Sequence, residues 1–426
     1  MKKELVLKRK VLDSVVANEV AERFLENAFA ENHVDSVEDE RYKHVVTRKQ
    51  SRFSSQLVPN EICALEFHPV GHTLAYSRMD GSLTIWPSIS ATFIPGKMIH
   101  VRDACGGDKV VTSVSWNPLE ITQLISASNC NEVYVWEYDE AKKSASKVRT
   151  VTVGHRTKVT KALFDPHGKY VLAVTKTESL YLYSAKDEFT LVSTVNLVDI
   201  FGANDSVYSV TWDNSGENII IGTKTGCLVV LGIEPSSKSL IKRLEVTGHR
   251  SSVSCLKVDP LGRFLVSGGA DGSCNIWELK SFICKTEITG LNSSIISLDI
   301  CHMGKLLGIC LDDQRTVFCD LGTGKILYES PSKDLNSELV IRFFPDKTMF
   351  LLSGKNDTLQ KHYFGSGKMN LLAIWEHDSH KNKDSKPASK ISNKRKERKH
   401  GSEKPPPRTS RNQRTKRFTG NISKRR

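Results

Sequence analysis

A short strand ending in an apolar residue and followed at once by a turn recurs seven times: LEFHPVG, VSWNPLE, ALFDPHG, VTWDNSG, LKVDPLG, LDICHMG and IRFFPDK. The common register falls on Phe67, Trp116, Phe164, Trp212, Val258, Ile300 and Phe343, with steps of 49, 48, 48, 46, 42 and 43 residues. Each turn leads into two further β-rich runs joined by a tight turn, as in RFLVSGGADGSCNIW. Alternating Val, Ile, Leu and Tyr bounded by Gly, Asp, Asn and Ser mark strands and hairpins. Units of this kind cannot bury their apolar faces alone and must stack on their neighbours.

Four strands per unit at a step of roughly 40 to 45 residues is the period of WD-type propellers. The expected fold is therefore all-β, a seven-bladed WD-repeat β-propeller over residues 42–376 with the seven register residues on the innermost strands. A sandwich of many short strands has no reason to repeat one turn pattern at near-constant spacing. An N-terminal extension, 1–41, is expected to carry a short amphipathic helix, and residues 377–426 a disordered basic C-terminal tail. The outer strand of the last blade comes from 42–57 or from 370–375, and the N-terminal run is favoured because propellers often close with it.

In the fifth repeat His249 precedes the innermost strand, Ser267 lies in the second, Asp271 in the tight turn, and Trp277 ends the third. Those positions predict a structural tetrad in which indole, hydroxyl, imidazole and carboxylate form one buried hydrogen-bonded chain. The same residue types would serve as a catalytic triad, but the repeat position accounts for all of them. No phosphate-binding loop, HExxH or GxSxG motif occurs, so the chain reads as a non-enzyme with no cofactor and no metal site. The ten cysteines form no CxxC pair and read as reduced thiols. The basic N-terminus lacks an apolar signal core and no apolar run reaches membrane-spanning length, so neither secretion nor a membrane partner is expected.

Charge is distributed unevenly along the chain. Of 61 basic and 48 acidic residues, 18 and 4 respectively lie in 377–426, leaving a body with 43 basic and 44 acidic residues. The tail thus carries all of the excess positive charge of a chain with net +13, and the body is near neutral. Its composition cannot offset chain entropy by burial, and its polyanion partner would be RNA held electrostatically. The dense cluster Lys394, Arg395, Lys396, Arg398 and Lys399 is of the nuclear-localisation kind, and Arg414, Lys416, Arg417, Lys424, Arg425 and Arg426 extend the candidate RNA-contact set. At the other end, Val16, Val20, Phe24, Leu25 and Phe29 share one face of a helix predicted over 13–30, a candidate partner helix or a segment that packs on the propeller rim.

SRMDGSLTIW at 77–86, CHMGKLLGIC at 301–310 and SGKNDTL at 353–359, together with the order of amphipathic start, RKQSRFSS segment and basic tail, are specific beyond a repeat signature. In these features the chain resembles the WD-repeat subunit of the THO complex, the core of the TREX mRNA-export assembly, particularly in its fungal members. The resemblance implies a nuclear, non-enzymatic scaffold subunit that couples transcription elongation to mRNA processing and export. Its implied partners are other THO subunits, chiefly the large helical scaffold subunit, and through the complex a DEAD-box RNA helicase and an export adaptor. Alternative readings are a WD-repeat subunit of a histone-modifying complex and a ubiquitin-ligase substrate receptor.

Overall fold

The computed structural model describes residues 62–353, apart from short loop gaps, and the strands Val45–Val46, Leu359–Phe364 and Ile374–Trp375. The chain divides between His377 and Asp378 into two units, and only the first contains described residues. Residues 1–44 and 376–426, with the predicted helix and the basic tail, lie outside the described residues.

Six antiparallel four-stranded sheets follow one another along the chain. Blade one comprises Ile62–Phe67, Leu74–Arg78, Leu83–Trp86 and Ile99–Val101, and blade five comprises Val253–Val258, Phe264–Gly269, Cys274–Glu278 and Ile283–Ile288. Blades two, three, four and six start at Ser113, Val159, Val207 and Ile295 and follow the same simple meander. Each register residue ends its innermost strand.

The expectation of a seven-bladed propeller is corrected here: the structure has six four-stranded blades. The sheet in the place of repeat seven has a different make-up. Its path runs from Ile341–Phe343, only three residues, through Met349–Ser353 to Leu359–Phe364. The outer edge of that last strand is shared by two fragments. Val45–Val46 pairs with Tyr363 and Phe364, while Ile374–Trp375 pairs with Leu359 and Gln360. The physical reason is that this edge is completed by segments from both sides of the propeller sequence, neither of which supplies a full strand. Both runs considered for closure thus take part, at opposite ends of one edge.

The core lies between sheets. Because side chains alternate across a strand, each sheet presents one apolar face to the sheet before it and one to the sheet after it. Seven apolar clusters result, one at each joint of the ring. Blade three meets blade four through Leu172, Leu182, Val210 and Ile221, and the closing sheet meets blade one through Phe344, Met349 and Leu351 against Leu65, Phe67 and Tyr76. Among the described residues one short helix, Leu197–Phe201, interrupts the strands; Asn196 caps it, and Leu197 and Ile200 plug the joint between blades three and four.

The turn after each innermost strand is a repeated device. The residue following the register position donates its N–H across the turn: His68 to Thr73, Asn117 to Gln123, Asp165 to Tyr170, Asp213 to Asn218, Asp259 to Phe264, Cys301 to Leu306 and Phe344 to Met349. Where that residue is Asp, its carboxylate also collects the turn's own donors, as Asp165 does from the N–H groups of His167, Lys169 and Tyr170. Successive turns are then linked around the ring. His68 Nε2 donates to the Asn117 carbonyl at 3.0 Å, His167 Nε2 to that of Ser215 at 2.8 Å, and Arg263 Nη2 to that of Gly304 at 2.6 Å.

Gly304 closes its turn at φ +62°, and a Cβ there would run into the Asp259 carboxylate and the Arg263 guanidinium. Gly106 has φ +76° with nothing nearby, so it isolates the backbone penalty. Gly106→Ala should cost about 1 kcal/mol of unfolding free energy, and Gly304→Ala about 1–3 kcal/mol more, since it also breaks the Asp259–Arg263 contact. Urea unfolding of both variants checks this; equal costs would mean that the turns of blades five and six are not tightly coupled.

Candidate functional site

The four tetrad residues of blade five are brought together. Trp277 Nε1 donates to Ser267 Oγ at 2.9 Å, and Ser267 Oγ lies 2.7 Å from His249 Nε2. His249 Nδ1 in turn faces Ser273 Oγ at 2.9 Å and Asp271 Oδ1 at 3.3 Å. The Asp271 carboxylate only accepts and Ser273 spends its proton on it, so the imidazole carries its proton on Nδ1 and Ser267, which accepts from the indole, donates to Nε2. Asp271 also accepts from the Arg250 N–H at 2.7 Å and from the Ser273 hydroxyl at 2.8 Å. Burial pushes the His249 pKa down despite the neighbouring carboxylate. For Asp271, burial works upward but is outweighed by the Arg250 N–H and the Ser273 donors, so its pKa is lowered. The result is a neutral imidazole beside a carboxylate. Ser267 is 0 % and His249 3 % exposed, so neither presents an atom to a substrate.

A second polar constellation lines the axis of the ring. Four of the residues just before the register position are charged and meet one another: Glu66, Lys257, Asp299 and Arg342. Arg342 Nε donates to Glu66 Oε2 at 2.9 Å, joining the closing sheet to blade one. Lys257 Nζ lies 3.0 Å from Asp299 Oδ1 and 3.7 Å from Glu66 Oε1, so blade five reaches both its neighbour and a blade three sheets away. Asp299 Oδ2 accepts the Phe343 N–H at 2.6 Å. Its side chain is 5 % exposed against 33 % for Glu66 and 31 % for Lys257, making it the buried anchor of a network that otherwise meets water in the channel.

Glu66, Lys257 and Arg342 are held in their charged forms by this network. Burial works to raise the Glu66 pKa, but the Lys257 ammonium and the Arg342 guanidinium carry it below the usual carboxylate range. For Lys257, burial works downward and Asp299 with Glu66 overcomes it. Lys161, on the innermost strand of blade three, behaves differently: burial pushes its pKa down, Cys255 opposes this, and Arg342 adds to it. Sequence reasoning passed over this network. Its visible trace was a charged residue set inside each of the apolar runs LEF, LKV, LDI and IRF.

The candidate partner helix (Val16, Val20, Phe24, Leu25 and Phe29) and the tail cationic residues from Lys394 to Arg426 lie outside the described residues.

Because the folded state disfavours protonation of His249, the unfolded chain takes up that proton first, and the tetrad's contribution is present above about pH 6.5 and fades as pH falls below it. His249→Asn should therefore cost about 1–3 kcal/mol at pH 7.5 and less at pH 5. Denaturation of both proteins at the two pH values provides the measurement, and a pH-independent cost would contradict a neutral buried imidazole.

Comparison with known proteins agrees with this architecture. The family model "WD domain, G-beta repeat" matches residues 239–278, which take in the outermost strand of blade four and the first three strands of blade five. The sequence repeat is thus offset by one strand from the structural blade. In overall shape the chain is similar to the β-propeller domain of Myceliophteria thermophila Cps50 (Swd1), with a TM-score of 0.59 at 16% identity, over 75% of this chain and 99% of that one. The Arabidopsis thaliana protein named THO complex subunit 3 is 23% identical over 57% of this chain and 86% of its own length. Protein TEX1 of Saccharomyces cerevisiae is 39% identical over 373 residues, 87% of this chain and 88% of that protein. The chain therefore belongs to the family of WD-repeat proteins that includes TEX1.

Proposed function

We propose that this protein is a nuclear, non-catalytic scaffold subunit of a THO-type assembly acting in TREX-linked mRNA export. The observation that carries the reading is the 39% identity to Protein TEX1, sustained over 87% of the chain. The similarity to a protein named THO complex subunit 3 supports the same assignment from a more distant relative. The tetrad supports a non-catalytic role: His249, Ser267 and Asp271 spend their hydrogen-bonding capacity within blade five.

In this role the body contributes geometry. A closed ring of stacked sheets holds partner-binding surfaces at fixed distances, and a stable subunit contact needs on the order of 1,000 Å² or more of buried surface. The N-terminal extension and the rim loops are the parts the ring does not need for itself. The large helical scaffold subunit of the assembly is the expected direct partner, and the DEAD-box helicase and export adaptor join through the complex. The basic tail, with its 18 Lys and Arg residues, serves nuclear import or RNA contact, and any RNA binding through it falls steeply with salt.

Immunoprecipitation of the tagged full chain from nuclear extract treated with RNase should recover the large scaffold subunit in near-equal amount. Recovery of a methyltransferase core or a cullin adaptor in its place would overturn the assignment.

A further inference from the structure

The channel charges do not balance locally. Glu66 and Asp299 are engaged by Lys257 and Arg342, whereas Lys161 forms no ion pair among the described residues. Its ammonium donates only to the Tyr208 carbonyl, at 3.4 Å. Yet it stands within electrostatic reach of Cys255 on blade five and Arg342 on the closing sheet, so it belongs to the same axial space. Three cations therefore face two carboxylates.

The joint at Lys161 also differs from the rest. From blade one round to the closing sheet, neighbouring innermost strands run side by side, except that Val159–Phe164 and Val207–Trp212 stand further apart. In the bulge of blade three, Thr160 donates its hydroxyl to the Val174 carbonyl of its own blade. Ser254, in the bulge of blade five, donates its hydroxyl to the Ile295 carbonyl of blade six and draws the two strands together. At the corresponding bulge of blade four stands Tyr208, whose ring is turned outward, 37% exposed, with the Lys176 ammonium 5.0 Å from its centre. A wider joint, a cation without a carboxylate and an exposed aromatic ring beside it coincide at one place on the channel wall.

We propose that the channel, at the joint of blades three and four, binds an acidic side chain of a partner protein on Lys161. One singly charged carboxylate would bring the three cations and two carboxylates to balance. A doubly charged phosphate would overcompensate them and be repelled by Glu66 and Asp299. The proposal deepens the scaffold reading and rests on it for the source of the carboxylate, since a subunit that holds partners by geometry gains orientation from one charge-assisted contact at a fixed point. The lowered pKa of Lys161 fits a site that lacks its counter-ion.

The test is acetylation of the native full chain by an amine-reactive ester, read by mass spectrometry at Lys161 itself so that peptide held by the basic tail does not register. Without ligand, Lys161 should label faster than the ion-paired Lys257. Penta-glutamate peptide should slow labelling of Lys161 at least threefold, while penta-glutamine leaves it unchanged, and inorganic phosphate at matched ionic strength should need the higher concentration. Slow labelling without ligand, equal effects of the two peptides, no effect of either, or protection by phosphate at an equal or lower concentration would each overturn the proposal. None of these outcomes bears on which subunits immunoprecipitate with the chain, so the scaffold reading stands or falls separately.

Discussion

A ring of stacked sheets is as sound as the joint between its first and last members. In this chain that joint brings together residues 276 apart, Glu66 on blade one and Arg342 on the closing sheet, in a 2.9 Å charge-assisted hydrogen bond. Around it Phe344, Met349 and Leu351 pack on Leu65, Phe67 and Tyr76, with the Phe67 and Phe344 rings 4.6 Å apart. The chain entropy lost in bringing such distant segments together is large, and apolar packing supplies most of what offsets it. The ion pair adds register: a carboxylate and a guanidinium in this geometry meet in one alignment of the strands. Closure also leaves the ring without an open side, so each sheet buries both of its faces.

The axial network extends this closure inward. Lys257 reaches Glu66 across the channel, tying blade five to blade one without passing through the two sheets between them. Asp299 holds the Phe343 N–H and the Lys257 ammonium at once. Removing one member would leave buried charge without its partner, which is why such networks fix a structure more than they stabilise it against a well-packed apolar alternative. For a protein whose proposed task is to hold other subunits in place, a single fixed geometry is the useful property.

The sequence carried the parts of this structure that repeat. Phe67 through Phe343 could be assigned to innermost strands because one residue type in one local pattern recurs at near-constant spacing, and the tetrad could be named because each member has a place in that period. The parts that break the period were not legible. The closing sheet departs from the four-stranded pattern because its outer edge is assembled from Val45–Val46 and Ile374–Trp375, segments whose pairing depends on the finished ring. The channel network depends on contacts between sheets far apart in sequence, so in the sequence Glu66, Lys257, Asp299 and Arg342 are only single charges within apolar runs. Lys161 departs from the small inner residue found at its position in other repeats, Ala64, Ser113, Ser209, Cys255 and Ser297, and an exception acquires meaning only when its surroundings in the ring are seen.

The account turns on coupling between the first blade and the closing sheet, and a double-mutant cycle measures it directly. Glu66→Gln, Arg342→Met and the double variant, unfolded by denaturant in parallel with the parent chain, should give an interaction free energy of about 1–2 kcal/mol, in the range found for residues sharing one charge network. Additivity of the two substitutions to within about 0.5 kcal/mol would contradict the claim that this pair helps to close the ring.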